Sequence, residues 1–166
     1  MEKQRILILD KERIDHKLQR MAYQIWENNS NETEVTLLGI VNGGLAVAES
    51  LAARLRQISP LQVHVIPVKL NKKQPLSQEI KFIEDLNGRS IILVDDVANS
   101  GRTLLYAIKP LLTYEVKKIM VAVLVDRKHK SFPISSDIVG YSVATTLQEH
   151  IEVETDDNGI IAAYLQ

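Results

Sequence analysis

The chain has 166 residues, 45% of them hydrophobic and 25% charged, with a net charge of −1. That size fits a single compact domain over residues 1–166 with a well-filled core, and the near-neutral balance argues against a strongly basic nucleic-acid platform. Cysteine is absent, which excludes disulfides, zinc–thiolate sites and thiol catalysis.

His16, His64, His129 and His150 fall at no metal-ligand spacing. No apolar run approaches the ~20 residues of a membrane span, and the N-terminal apolar run is too short for a secretory signal. A cytoplasmic protein with no membrane partner is therefore expected.

Along the chain, Ile6–Leu9 reads as a short strand. Ile14, Leu18, Met21, Ala22, Ile25 and Trp26 then recur at helical spacing and give way to the loop "NNSNET". Val35–Ile40 is a buried strand, the "VNGG" turn covers Val41–Gly44, and Leu45–Arg56 is an amphipathic helix. Another strand occupies Val63–Val68. From Lys69 to Glu79 the apolar pattern lapses, and Lys69, Lys72, Lys73 and Pro75 predict an exposed, flexible segment.

A turn at Leu86–Arg89 leads into the strand Ser90–Val94. A helix over Thr103–Leu112, interrupted by Pro110, precedes the strand Lys118–Val125. The "DDNG" run, Asp156–Gly159, predicts a hairpin joining Ile151–Glu154 to Ile160–Tyr164. Strands alternating with helices predict an α/β fold: an open, mostly parallel twisted sheet with helices on both faces, plus a small C-terminal hairpin or hood. Ligands of such sheets sit beyond the carboxyl ends of the strands. Both unusual turns, Val41–Gly44 and Asp95–Thr103, are expected at such ends.

The run "ILVDDVANSGRTL" places two adjacent carboxylates, Asp95 and Asp96, where a buried strand emerges. Neighbouring carboxylates repel, and burying either without a partner costs several kcal/mol. They call for hydroxyl donors, cations or water. A ribose cis-diol offers two O–H donors suited to ionised carboxylates. Next, Ala98, Asn99, Ser100 and Gly101 can curl with successive amides inward, with Ser100 and Thr103 adding hydroxyls. The helix starting near Arg102–Thr103 aims its N-terminal end at the same point. A diol clamp and a phosphate cup thus lie about one ribose 5-phosphate apart. Two other readings compete: Asp95 or Asp96 capping the following helix, and a phosphoacceptor receiver domain, which would need its acidic pair after the first strand.

The stretch "IILVDDVANSGRT" resembles the phosphoribosyl-pyrophosphate (PRPP) motif of type I phosphoribosyltransferases. "AVLVDRKHKSFPISSDIVG", the opening "ILDKERIDHKLQRMAYQI" and the closing hairpin resemble the bifunctional pyrimidine-operon regulator/uracil phosphoribosyltransferase (PyrR) family. That resemblance implies transfer of ribose 5-phosphate from PRPP to a nucleobase, uracil first, with Mg2+ bound mainly through PRPP. It implies that Asp95 and Asp96 hold the ribose, and that Ala98, Asn99, Ser100, Gly101, Arg102 and Thr103 hold the 5-phosphate. Val41, Asn42, Gly43 and Gly44 would meet pyrophosphate, although Asn42 stands where family members usually carry a cation.

The resemblance also places Asp126, Arg127 and Lys128 beside the base; an Asp126–Arg127 structural ion pair is the competing reading. The arm holding Lys69, Lys72 and Lys73 is shorter than the family's. It reads either as solvated surface or as a loop whose lysines meet pyrophosphate. A homo-dimer or tetramer is implied. RNA is a further implied partner, weakened here because the first helix keeps Arg20 but has Gln19 and Tyr23. A purine-salvage enzyme stays open because "VNGG" is nearer to purine patterns.

Overall fold

The computed structural model describes residues 4–146 and 149–166. Five strands form one parallel sheet in the order β3-β2-β4-β5-β6, comprising β2 (Glu34–Ile40), β3 (Gln62–Val68), β4 (Ser90–Ala98), β5 (Lys118–Arg127) and β6 (Ile138–Val143). A second, three-stranded antiparallel sheet runs β1-β8-β7, from β1 (Ile6–Leu9), β7 (Ile151–Asp156) and β8 (Gly159–Leu165). The predicted C-terminal hairpin is present, and the N-terminal strand pairs with its second strand, β8, which lies in the middle of that sheet. Amphipathicity alone does not reveal that distant pairing.

The central strands have apolar side chains on both faces, as parallel strands covered by helices require. Alternate residues go to opposite cores. Leu37, Ile92, Val94, Ala122 and Leu124 pack towards α1 (Lys11–Asn28) and α2 (Gly43–Ile58). Leu38, Ile40, Ile91, Leu93, Val121 and Val123 pack on the other side against Leu104 and Ala107 of α3 (Arg102–Ile108). Each fully buried aliphatic side chain contributes roughly 1.5–3 kcal/mol, so this double layer sustains a costly polar group at its edge.

Capping fits the sequence at α1, where Asp10 accepts from the Arg13 amide at 2.8 Å. Pro110 ends α3 after seven residues, and the chain tightens into a 3-10 turn over Lys109–Thr113. The chain direction reverses across the sheet between β2 and β4, which are neighbours joined through the edge strand β3. That arrangement opens a crevice at the carboxyl ends of β2 and β4. Among the described residues, no helix is long and apolar enough to cross a membrane.

Candidate active site at the carboxyl ends of β2, β4 and β5

The strand β4 continues four residues beyond its predicted end, so Asp95 lies within the ladder opposite Val123 rather than after it. Its side chain alternates into the protein and is 1% exposed. Asp95 Oδ1 accepts from the Asp96 amide at 2.9 Å, and Asp96 Oδ1 accepts from the Val97 amide at 2.8 Å. Neither carboxylate caps α3; the cap position is Gly101, without a side-chain bond. The helix-cap reading of the doublet therefore does not describe this chain.

Burial pushes the Asp95 carboxyl up to about 8, with repulsion from Asp96 adding to the rise and the Lys72 ammonium opposing it. Lys72 Nζ stands 3.5 Å from Asp95 Oδ1 and 4.0 Å from Asp96 Oδ1. The arm thus brings one of its three exposed lysines within ion-pair distance of the doublet, and Lys69 and Lys73 make no such contact among the described residues. Lys72 keeps 44% of its side chain exposed while its ammonium faces the doublet.

Gly43 and Gly44 belong to the first turn of α2 rather than to a free turn before it. A Cβ on Gly43 would lie 2.0 Å from Asp96 Oδ2, and one on Gly44 would lie 2.7 Å from the Val94 carbonyl oxygen. The two glycines are what allow the start of α2 to abut the end of β4. The first amides of that helix have no intrahelical acceptor and remain available to an anion. Val41 donates to Val68 O at 3.0 Å, the Val41–Asn42 peptide is cis, and the Asn42 side chain is exposed.

Gly43→Ala is expected to push the Asp96 carboxylate aside while α2 is retained. Circular dichroism should match the parent chain, with little change in Tm.

Lys72, Asp95 and the run Val97–Leu104 line one depression of about 50 Å³. Within it Gly101 has φ +87°, a left-handed conformation that favours glycine, and a Cβ there would meet Ile134 Cγ2 at 2.6 Å. Ser100 O accepts from the Ser131 and Phe132 amides at 2.9 and 3.1 Å, so the following loop braces this bend from behind. The Ser100 hydroxyl accepts from the Arg102 amide at 3.3 Å, and Thr103 is half-buried at the start of α3. Because α3 has only seven residues, its contribution here is chiefly the amides of its first turn.

The strand β5 also runs beyond its predicted end and carries Asp126 and Arg127. These two do not pair with each other. Asp126 bonds Lys130 Nζ, which also donates to Arg127 O. Arg127 reaches the Thr145 hydroxyl at 2.6 Å, Thr146 O at 2.8 Å and Asn99 Oδ1 at 3.2 Å. It thereby ties the 98–101 bend to the segment after β6. Lys128 is exposed, its backbone amide donating to Val143 O at 3.4 Å, and its side chain is not among these contacts. Lys130, Thr145 and Ile134 escaped the sequence reading, since a lysine four residues after an aspartate in a loop signals nothing by itself.

The switch point of the parallel sheet thus carries a buried Asp95 and a half-buried Asp96 beside a glycine bend and a Gly-Gly helix start. The chain belongs to the phosphoribosyl transferase domain family, which matches residues 7–158. It is 32% identical over 160 residues to the Bifunctional protein PyrR of Macrococcus caseolyticus, covering 91% of this chain and 92% of that protein. Bifunctional protein PyrR of Bacillus cereus strain AH820 is 32% identical over 176 residues, covering 97% and 98%. Among solved structures, a hypoxanthine-guanine phosphoribosyltransferase of Bacillus anthracis superposes with a TM-score of 0.74 at 17% identity, covering 96% of this chain and 99% of that one. The hypoxanthine phosphoribosyltransferase of Trypanosoma cruzi gives 0.77 at 16%, covering 94% of each. At such identity these two establish the fold alone.

Proposed function

We propose that the chain transfers ribose 5-phosphate from PRPP to uracil, releasing pyrophosphate. The observation carrying this reading is the convergence of Asp95, Lys72 and the 98–103 bend on one depression, with Asp96 against the Gly-Gly start of α2. Uracil is taken from the likeness to the bifunctional regulator family; the purine enzymes among the structural neighbours share the fold and do not bear on the base.

In this mechanism the 98–103 bend anchors the 5-phosphate and turns that remote binding energy into positioning of C1. Asp95 and Asp96 accept from the ribose hydroxyls. As the bond to pyrophosphate breaks, positive charge grows on the sugar ring and the two carboxylates stabilise it. The amides of Gly43 and Gly44 take charge on the departing pyrophosphate, and Lys72 leaves the doublet to join them. Asp126, Arg127 and Lys128 border the base end, with Arg127 holding Asn99 and Thr145 in register.

The donor set fits Mg2+. The doublet offers only carboxylate oxygens, the hard donors that suit Mg2+. Asp95 and Asp96 are the residues that would hold Mg2+ together with substrate oxygens, and the ion would supply charge neutralisation at the leaving group.

Lys72→Met removes the cation that offsets the doublet and, in this account, assists the leaving group. A fall of about tenfold in kcat, with KM for the base unchanged, is expected from steady-state assays. A KM effect on the base alone would remove Lys72 from the mechanism.

A panel of uracil, hypoxanthine, guanine and adenine with PRPP and Mg2+, read by pyrophosphate release, tests the reading. Turnover with uracil alone is expected; turnover with purines and none with uracil would reassign the base.

RNA binding is the second reading, since the relatives are named bifunctional. One observation weighs on it. Arg20, the basic residue kept on the first helix, donates to Gly140 O at 2.7 Å and Val139 O at 3.1 Å, so it serves the α1–β6 junction. Arg13 and Lys17 lie over the Tyr141 ring at 5.7 and 5.9 Å, and Arg13 also donates to Ile8 O at 3.0 Å, so these cations too are engaged within the fold. From the same likeness we carry over a homo-dimer or tetramer and a cytoplasmic setting.

A further inference from the structure

Beside α3, the segment following Lys72 encloses a cavity of about 550 Å³ against the helix and its 3-10 extension. That volume lies within the roughly 300–1,000 Å³ of small-ligand sites. None of its lining residues lines the smaller depression at Asp95. The transfer mechanism leaves it without a role.

Its walls have a definite chemistry. Phe82 and Tyr114 meet edge to face, ring centres 6.3 Å apart, and Tyr106 completes an aromatic lining. Lys109 is exposed at the rim, and among the described residues it enters no ion pair. Gln78 and Thr113 add an amide and a hydroxyl, and Glu79 in the same wall is offset by Lys81 at 3.7 Å, which leaves Lys109 as the uncompensated charge of the lining. Aromatic rings stack on planar bases, an unpaired ammonium attracts phosphate, and amide and hydroxyl groups match the edge of a base. A purely apolar ligand would leave the ammonium and the amide unmatched.

We propose that this cavity is a second nucleotide site, taking a planar heteroaromatic base that carries a phosphate, distinct from the transfer site. Two contacts link it to that site. The guanidinium of Arg102, in the 98–103 run, lies 5.7 Å over the Tyr106 ring that lines the cavity. The arm that bears Lys72 also runs on into the cavity wall at Pro75. A nucleotide held there fixes both and shifts PRPP affinity, and PRPP shifts nucleotide affinity by the same factor. Only this coupling rests on the transfer reading.

Calorimetric titration of the full chain with UMP, and separately with AMP, tests the proposal. Two binding events per chain are expected for at least one of them. Thr113→Trp, which fills the mouth, and Lys109→Glu, which reverses the rim charge on an exposed side chain, should each weaken one event at least tenfold and spare the other. Lys109→Arg should keep both. The Asp95→Asn/Asp96→Asn double variant should lose the event that the cavity variants spare. One event per chain, or two that ignore both cavity variants, overturns the proposal. Two events that both survive the double aspartate variant overturn the transfer reading and leave the cavity site standing.

Discussion

Replacing Asp95 and Asp96 together by asparagine lowers kcat/KM for PRPP by about 10²–10³-fold, the scale of losing preorganised charge stabilisation at a transition state. The two ionised acceptors become amides whose NH2 groups confront the ribose O–H donors, and the negative charge opposing the growing ring charge disappears. The fold survives for a specific reason. Each aspartate makes one internal bond, from the Asp96 amide to Asp95 Oδ1 and from the Val97 amide to Asp96 Oδ1. An asparagine Oδ1 accepts both equally well. Circular dichroism should therefore match the parent chain while pyrophosphate release collapses. Undiminished release would remove the doublet from the mechanism.

The single variant Asp95→Asn should also raise stability, increasingly so at higher pH. The sign follows from the carboxyl being held at about 8, well above the ordinary carboxylate range of roughly 4, chiefly by burial and then by Asp96. Below pH 4 the group is protonated in both the folded and the unfolded chain, and it costs nothing. Between pH 4 and 8 the unfolded chain ionises and the folded one does not, so stability falls as pH rises; above about 8 the loss is complete. The full loss amounts to several kcal/mol.

Asparagine escapes that loss. Its Tm should exceed the parent's by at least about 3 °C at pH 8, with the gap closing towards pH 4. A gap that widens in acid would mean that Asp95 is ionised in the resting protein. If PRPP binds at Asp95 as proposed, the same linkage predicts proton release on binding near pH 7, because hydroxyl donors and a cation favour the ionised carboxylate.

Much of this was legible in the residues. The continuous apolar runs at Val35–Ile40 and Ser90–Val94 encode buried parallel strands, and the spacing Ile14–Trp26 encodes α1. The bend at Gly101 and its neighbours was marked by the glycine and by the doublet before it. Strand ends were harder to place, because a charged residue ordinarily marks the surface. Asp95 and Asp126 instead continue the ladders of β4 and β5, satisfied by backbone pairing and a local amide or lysine.

Long-range features had no local signature. That Lys72 turns back to the doublet, that Asp126 chooses Lys130 over Arg127, and that β1 completes the C-terminal hairpin all depend on tertiary approach. The Gly-Gly pair was readable as a close approach, but not that Asp96 is what approaches it.

A crystal structure of the chain with PRPP and Mg2+ tests the central claim most directly. The account predicts the ribose hydroxyls on Asp95 and Asp96, the 5-phosphate within residues 98–103, and Lys72 withdrawn from the doublet towards pyrophosphate. PRPP bound elsewhere, with Lys72 still resting on both carboxylates, would contradict it.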